Sequence, residues 1–127
     1  MGDMPAAYAI AHLHDPEVND DVLEYLERIQ PTLDPFGGRF LVHGAEVEVR
    51  EGPWPGTIVI IAFPGVEQAR AWYDSPAYRD ILHLRTDHID ASAIIVEGVA
   101  EGYDPVRTAA ALRAMRAAGS GISQPPQ

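Results

Sequence analysis

Residues 57–63 read Thr57-Ile58-Val59-Ile60-Ile61-Ala62-Phe63, and they form the most β-branched run in the chain. β-Branched side chains pack well on an extended backbone and lose rotamer freedom in a helix. Pro64-Gly65 follows directly, and this dipeptide is typical of a turn. We therefore expect a central β-strand here, with the rest of the fold arranged around it.

Three further strand patterns flank this run, each apolar or alternating and each bounded by glycine, proline or charged residues. These strands are expected at residues 6–14, 39–43 and 88–97. We expect Gly44 to bend the second of them into a continuation over residues 46–50, where Val47 and Val49 alternate with charges.

Helix signals lie between the strands. Asp15-Pro16-Glu17 offers a capping carboxylate, a proline suited to the first helical position and an acid near the positive end of the helix dipole. We therefore expect a helix to start there, with its buried stripe formed by Val22, Leu26, Ile29 and Leu33. A second helix is expected from Val66, and Ser75-Pro76 should restart the chain as a third.

The predicted order is β-α-β-β-α-β, the ferredoxin-like arrangement of α+β proteins. Both helical segments then cover one face of a four-stranded antiparallel sheet, in a domain that we place at residues 1–104. Residues 105–127 should add a C-terminal helix and a flexible tail. Nothing else in the chain is large enough to cover the second sheet face, so we expect a homodimer that pairs through it.

The composition excludes several classes of partner and chemistry. Nine arginines and no lysine stand against 19 acidic residues, which gives a net charge of −10. Such a surface repels phosphate backbones and anionic lipids, so neither nucleic acid nor a membrane is an expected partner. Without lysine or cysteine, a Schiff base, a P-loop lysine and thiolate catalysis are excluded. The N-terminus carries no signal-peptide pattern, and we expect a cytoplasmic protein.

Several spaced motifs resemble one bacterial family. The fragments are Asp15-Pro16, Tyr25, Gly37-Gly38-Arg39-Phe40-Leu41-Val42, Glu51-Gly52 with Trp54, Phe63-Pro64, residues 69–78, Arg85 and Glu97-Gly98. Over about residues 6–98 the chain resembles the family named domain of unknown function 1330, which belongs to the dimeric α+β barrel superfamily. The resemblance implies this fold and a dimer, with no assigned activity. Where the family usually has an arginine followed by two glycines, this chain has His43, Gly44 and Ala45.

Two arginines are candidate anion ligands. Arg39 follows a glycine pair that lets a ligand approach the backbone, and Arg85 lies at the end of a predicted helix. Two guanidinium groups at one pocket would suit a carboxylate or an enolate. The structural alternative is that each arginine pairs with one of the many acids, or that Arg85 interacts favourably with the negative, C-terminal end of its own helix dipole.

Three aromatic residues bracket the break between the second and third helices. Trp72, Tyr73 and Tyr78 are predicted to line a pocket for a flat organic molecule, with a tyrosine hydroxyl orienting it. Core packing is the alternative for all three, and a helix cap is the alternative for the nearby Ser75.

The histidines suggest two further functions, metal binding and proton transfer. His12 and His14 should project from one strand face, a spacing that could chelate a metal with His43 or His88 as a third ligand. The pattern also occurs by chance, and the alternative is that these histidines line the sheet face buried in the dimer. His43 is the candidate general base because imidazole titrates near neutral pH, and a structural hydrogen bond is the alternative role for it.

Three functional hypotheses follow. The first is an enzyme without metal or organic cofactor, monooxygenase- or isomerase-like, in which Arg39 or Arg85 holds an oxyanion, His43 moves a proton and Tyr73 or Tyr78 orients the substrate. The second is a non-catalytic ligand-binding or structural homodimer. The third is haem or metal binding through histidine.

Overall fold

The computed structural model describes residues 5–119 and places four antiparallel strands in one sheet with helices on one of its faces. The elements are β1 Ala7–His14, α1 Asp20–Leu33, a 3₁₀ turn Asp34–Phe36, β2 Arg39–His43, β3 Thr57–Phe63, α2 Val66–Asp74, α3 Pro76–Thr86, β4 Asp90–Glu97 and α4 Pro105–Ala117. The strand order β2-β3-β1-β4 and the antiparallel pairing confirm the predicted ferredoxin-like α+β fold.

The core lies between the sheet and the helices. In β1, Ala7 and every second residue after it face the helices, beside Phe63 and Ile61 of β3 and Ile95 of β4. The helices cover these positions with apolar and aromatic side chains, namely Tyr25, Ile29, Leu33, Ala69, Trp72, Tyr78, Ile81 and Leu84. Burial of this set supplies the main free energy that holds the helices to the sheet.

The start of α1 differs from the prediction. Asp15 has a φ of 49° and does not cap a helix, and α1 begins only at Asp20. The cap is Asn19, whose side chain accepts a hydrogen bond of 2.9 Å from the Val22 amide. Two acids follow Asn19 in the first helical turn, where they interact favourably with the positive end of the helix dipole, as Glu17 was expected to do. The side-chain oxygen of Asn19 is also the one that lies within hydrogen-bond distance of a first-turn amide.

Two other expectations are wrong, each for its own reason. Residues 46–50 form no strand, because only Ile58 and Thr57 remain on β3 beyond its pair with His43. Leu26 is 40% exposed, and Tyr25 takes its place in the buried stripe of α1. The break between α2 and α3 is as predicted, with the Ser75 side chain accepting from the Tyr78 amide.

The second sheet face is apolar, and within the part of the chain that the structure describes it is left uncovered. Tyr8 and Ile10 of β1 lie there between Ile60 of β3 and Val96 and Ile94 of β4. Ile94 is 57% exposed and Val96 42% exposed. α4 contributes no buried residue. None of the helices within residues 5–119 combines the length and the apolarity needed to cross a membrane.

Of the predicted C-terminal segment, residues 105–119 are described and contain α4, which confirms the extra helix. The predicted flexible tail falls on residues outside those described.

Candidate functional site

A cavity of about 630 Å³ lies between the sheet and the helices. Its floor is the helix-facing side of the sheet, where β1 contributes the small side chains of Ala9 and Ala11. Most of the wall is aliphatic or aromatic. The ionisable residues that line it are Glu17, Tyr25, His43, Tyr73, Tyr78 and Arg85. Small-molecule sites typically have volumes of about 300–1,000 Å³ and few polar groups in an apolar wall.

Arg85 is the one arginine of this wall, and it is only 8% exposed. Its Nε donates a long hydrogen bond of 3.4 Å to the Tyr25 hydroxyl. Its guanidinium carbon lies 5.7 Å from the centroid of the Tyr25 ring. Within residues 5–119, no carboxylate forms an ion pair with Arg85. A charged group is thus buried beside the cavity without a counter-charge.

Two tyrosines complete this polar corner of the cavity. The hydroxyls of Tyr25, from α1, and Tyr78, from α3, are 2.6 Å apart, and both residues are buried. Two hydroxyl groups carry two protons, and the bond between them uses only one. The second proton remains available to another acceptor.

The protonation states of this corner follow from its surroundings. Burial raises the pKa of the Tyr78 hydroxyl well above its usual value, with a further contribution from Tyr25 that the charge of Arg85 opposes. Burial by itself lowers the pKa of Arg85, but the adjacent Tyr25 and Tyr78 oxygens outweigh it, so that pKa lies above its ordinary value. Tyr78 is therefore a neutral hydroxyl and Arg85 a cation at physiological pH.

Trp72 serves both the core and the cavity wall. Its indole Nε1 donates a hydrogen bond of 3.0 Å to Thr32 Oγ1, which in turn donates one of 2.6 Å to the Ile29 carbonyl. The indole ring also packs on Tyr78 with ring centroids 4.1 Å apart. Because its one polar atom is already bonded, Trp72 offers the cavity an apolar surface only.

Tyr73 and His43 also line the cavity. Tyr73 is half-buried, and the Arg79 guanidinium lies 4.9 Å from its ring centroid. His43 stacks on Phe40 at 4.5 Å with an interplanar angle of 8°. Phe40 faces the helices through its pair with Ile61, and the bulge between Phe40 and Val42 brings His43 to the same side, opposite Val59. The structure thus brings His43 and Tyr73 to the same cavity as Tyr78 and Arg85.

Arg39 is not brought to this cavity. It pairs with Ala62 on β3, a position on the uncovered sheet face, and it is exposed. The expectation of two guanidinium groups at one pocket is therefore not met, because Arg39 and Arg85 lie on opposite sides of the sheet.

The structure brings the His12 and His14 rings together on the uncovered face, with centroids 4.2 Å apart. His12 also stacks on Trp54 at 4.1 Å, and its Nε2 lies 2.6 Å from the Pro55 carbonyl oxygen. His88 is elsewhere, 2.9 Å from an Asp21 carboxylate oxygen. Across the described residues no three His, Cys, Asp or Glu side chains come together as a metal site.

Sequence reasoning did not assign a site role to Tyr25 or to the segment from Pro16 to Val18, although both line the cavity. Tyr25 lies three residues after Val22 and four before Ile29, so its helical spacing already predicts a buried position. The segment had no such signal, because its proline was expected inside a helix.

Comparison with protein families identifies the chain. The family model described as domain of unknown function (DUF1330) matches residues 6–99, and the chain belongs to this family. No curated protein matches the chain.

Solved structures agree on the fold. A protein of unknown function from Rhodopseudomonas palustris is 16% identical, with a TM-score of 0.58 over 75% of this chain and 83% of that one. Its methylated form gives a TM-score of 0.59 at 16% identity, over 79% of this chain and 85% of that one. A dimeric ferredoxin-like protein of unknown function from Thermobifida fusca is 20% identical, with a TM-score of 0.52 over 77% of this chain and 95% of that one.

The raised pKa of Tyr78 predicts a loss of stability in alkali. Above about pH 10, the ordinary pKa of tyrosine, the unfolded chain releases a proton that folded Tyr78 retains, so the free energy of unfolding should fall as pH rises. Tyr78→Phe should flatten this slope. Urea denaturation between pH 8 and 11 measures it, with Tyr103→Phe as the control because Tyr103 is 45% exposed. Equal slopes in Tyr78→Phe and the wild type would contradict the assignment.

Proposed function

We propose that this DUF1330 protein is a homodimer that binds a small organic molecule in the cavity between its sheet and its helices. The observation that carries the proposal is the cavity itself: about 630 Å³, mostly apolar, with a few ionisable side chains converging on it. Such a site buries most of a small ligand and fixes its orientation through few polar contacts.

The dimer part of the proposal rests on the uncovered sheet face. Ile10, Ile60, Ile94 and Val96 form a contiguous apolar surface there. Exposed apolar patches of this kind mark interaction surfaces. A second copy of the same chain is the partner we propose, because most soluble oligomers are symmetric homo-oligomers. The Thermobifida fusca protein of similar fold is described as dimeric.

A second candidate function is catalysis without a metal or an organic cofactor, monooxygenase- or isomerase-like. It is favoured by one observation, that an imidazole and a buried cation line the same cavity. His43 would move a proton, Arg85 would stabilise the developing oxyanion, and Tyr73 would orient the substrate. Arg39 has no part in this scheme because it lies on the other face of the sheet.

Filling the cavity should abolish ligand binding. Ala11→Phe places an aromatic ring on the cavity floor, whereas Ala77→Phe adds the same ring at an exposed position of α3. Ligand-observed NMR with a panel of small aromatic and aliphatic compounds should detect binders to the wild type and to Ala77→Phe, and none to Ala11→Phe. Binders that Ala11→Phe retains at full strength would show that the cavity is not the site.

A charge on the uncovered face should dissociate the dimer. Val96→Glu places a carboxylate in each half of the proposed interface and should weaken dimerisation by about 100-fold or more, the scale of burying unpaired charge. Leu23→Glu is the control: Leu23 is 44% exposed, close to the 42% of Val96, but it lies on α1 and outside the proposed interface. Sedimentation velocity reports the result. A wild-type monomer, or equal association of both variants, would contradict the interface.

If the panel contains a compound that the protein converts, His43→Gln should lower the turnover number by about 100-fold or more while compound affinity stays nearly constant. His83→Gln removes an exposed histidine from α3 and should leave turnover unchanged. Product formation is measured by mass spectrometry under single-turnover conditions. Unchanged turnover in His43→Gln would remove His43 from the mechanism.

A further inference from the structure

The buried charge of Arg85 requires an explanation that packing does not give. Removing a guanidinium from water is unfavourable unless another charge or a set of hydrogen bonds offsets the lost hydration. Arg85 is 8% exposed, and within residues 5–119 its hydrogen-bond partners are two tyrosine hydroxyls, that of Tyr25 at 3.4 Å from Nε and that of the adjacent Tyr78. Tyrosine hydroxyls carry no formal charge here, so the positive charge of Arg85 is left uncompensated.

The free donors of this corner belong to residues that line the cavity. Across the described residues, every buried polar side-chain atom has a hydrogen-bond partner. Arg85 has five N–H donors, and its partners among the described residues are the Tyr25 and Tyr78 hydroxyls. Any donor left without a partner is therefore in contact with open space, and the open space that Arg85 lines is the cavity. The unused hydroxyl proton of the Tyr25–Tyr78 pair belongs to the same wall.

These donors match one carboxylate. The two terminal nitrogens of a guanidinium form parallel hydrogen bonds to the two oxygens of a carboxylate, and a phenol donates a third bond to either oxygen. This arrangement would supply the counter-charge that Arg85 lacks in the described chain.

The remaining wall limits the ligand to a single negative charge. Among the described residues, Glu17 is the other charged group on the lining besides Arg85; it repels anions, and no second arginine of residues 5–119 lies there. A phosphate dianion or a dicarboxylate would bring a charge with no partner. The aliphatic and aromatic surface of Leu13, Ile29 and Trp72 instead suits an apolar body.

We propose that the ligand of this cavity is a monocarboxylate with an apolar body, and that Arg85 and the Tyr25–Tyr78 hydroxyl pair bind its carboxylate. This inference rests on the proposed function, since it names the class of molecule that the same cavity takes. Arg85 and the two tyrosines act as binding residues, and Tyr25 acquires a role that was not expected from the sequence.

The test compares acids with their own primary amides, which share the apolar body and lack the charge. Isothermal titration calorimetry measures benzoate, 3-phenylpropanoate, 2-naphthoate and octanoate against the matching amides. At least one acid should bind about 10- to 100-fold more tightly than its amide, the range of one charge-assisted pair at a desolvated site. Phenylphosphonate, a dianion at high pH, should bind more weakly than benzoate.

Arg85→Met should remove the preference for the acid while amide binding persists. Arg28→Gln is the matched control, because it also removes one positive charge but at an exposed ion pair with Glu24 and Asp80. If Arg85→Met fails to fold, Tyr25→Phe keeps the charge and should weaken acid binding by about 3- to 10-fold through loss of one hydrogen bond.

The possible outcomes distinguish failure of this inference from failure of the proposed ligand-binding function on which it rests. Equal affinity for acid and amide in the wild type, tighter binding of phenylphosphonate, or an acid preference that survives in Arg85→Met would overturn the carboxylate assignment and leave cavity binding intact. Neutral compounds that bind in the cavity while every acid fails would do the same. No cavity binding by any compound would overturn both proposals.

Discussion

The side chains that β1 turns toward the helices determine the shape of the interior. Ala7, Ala9 and Ala11 occupy three successive positions on that side of a strand that lies between β3 and β4. Methyl groups at the centre of a sheet leave space that other residues must fill, because protein interiors are close-packed. Around Ala7 the large side chains of the core fill it, and Ala7 is fully buried. Around Ala9 and Ala11 they do not, and the cavity begins there.

The residues that bound the cavity also hold the helices in place. Trp72 on α2 is hydrogen-bonded to Thr32 on α1 and packs on Tyr78 of α3, while Tyr78 is hydrogen-bonded to Tyr25 of α1. One connected network thus joins three helices above the sheet. On the sequence alone, packing and ligand contact are alternatives for Trp72 and Tyr78, but the geometry allows one side chain to do both.

The order of the elements was predictable because strong local signals agreed with one another. Residues 57–63 form β3 over the predicted range, and Ser75-Pro76 begins α3 as its capping chemistry required. The start of α1 was not predictable in this way. Asp15-Pro16 and Asn19-Asp20 are both good helix starts, and only the left-handed backbone at Asp15 separates them.

The side of the sheet on which a residue lies was harder to predict than its strand. With strict alternation from Phe40, His43 would face away from the helices. The bulge between Phe40 and Val42 reverses that, so His43 pairs with Val59 and lies on the cavity side. A bulge of this kind has no reliable sequence signature in Phe40-Leu41-Val42. The same alternation, unbroken before Phe40, sends Arg39 to the opposite face.

The net charge of −10 bears on which anions can reach Arg85. At physiological ionic strength, charges separated by more than about 8 Å are largely screened, so the acidic surface acts on an anion mainly near the cavity mouth. There, repulsion grows with the charge of the ligand, and it penalises a dianion more than a monoanion. Attraction to Arg85 begins only after entry, where water is partly excluded and the contact is short. Affinity for an anion must therefore come from burial of an apolar body together with that one local contact. The same surface charge would thus favour, by difference, the singly charged amphipathic ligand that we propose over polyanions.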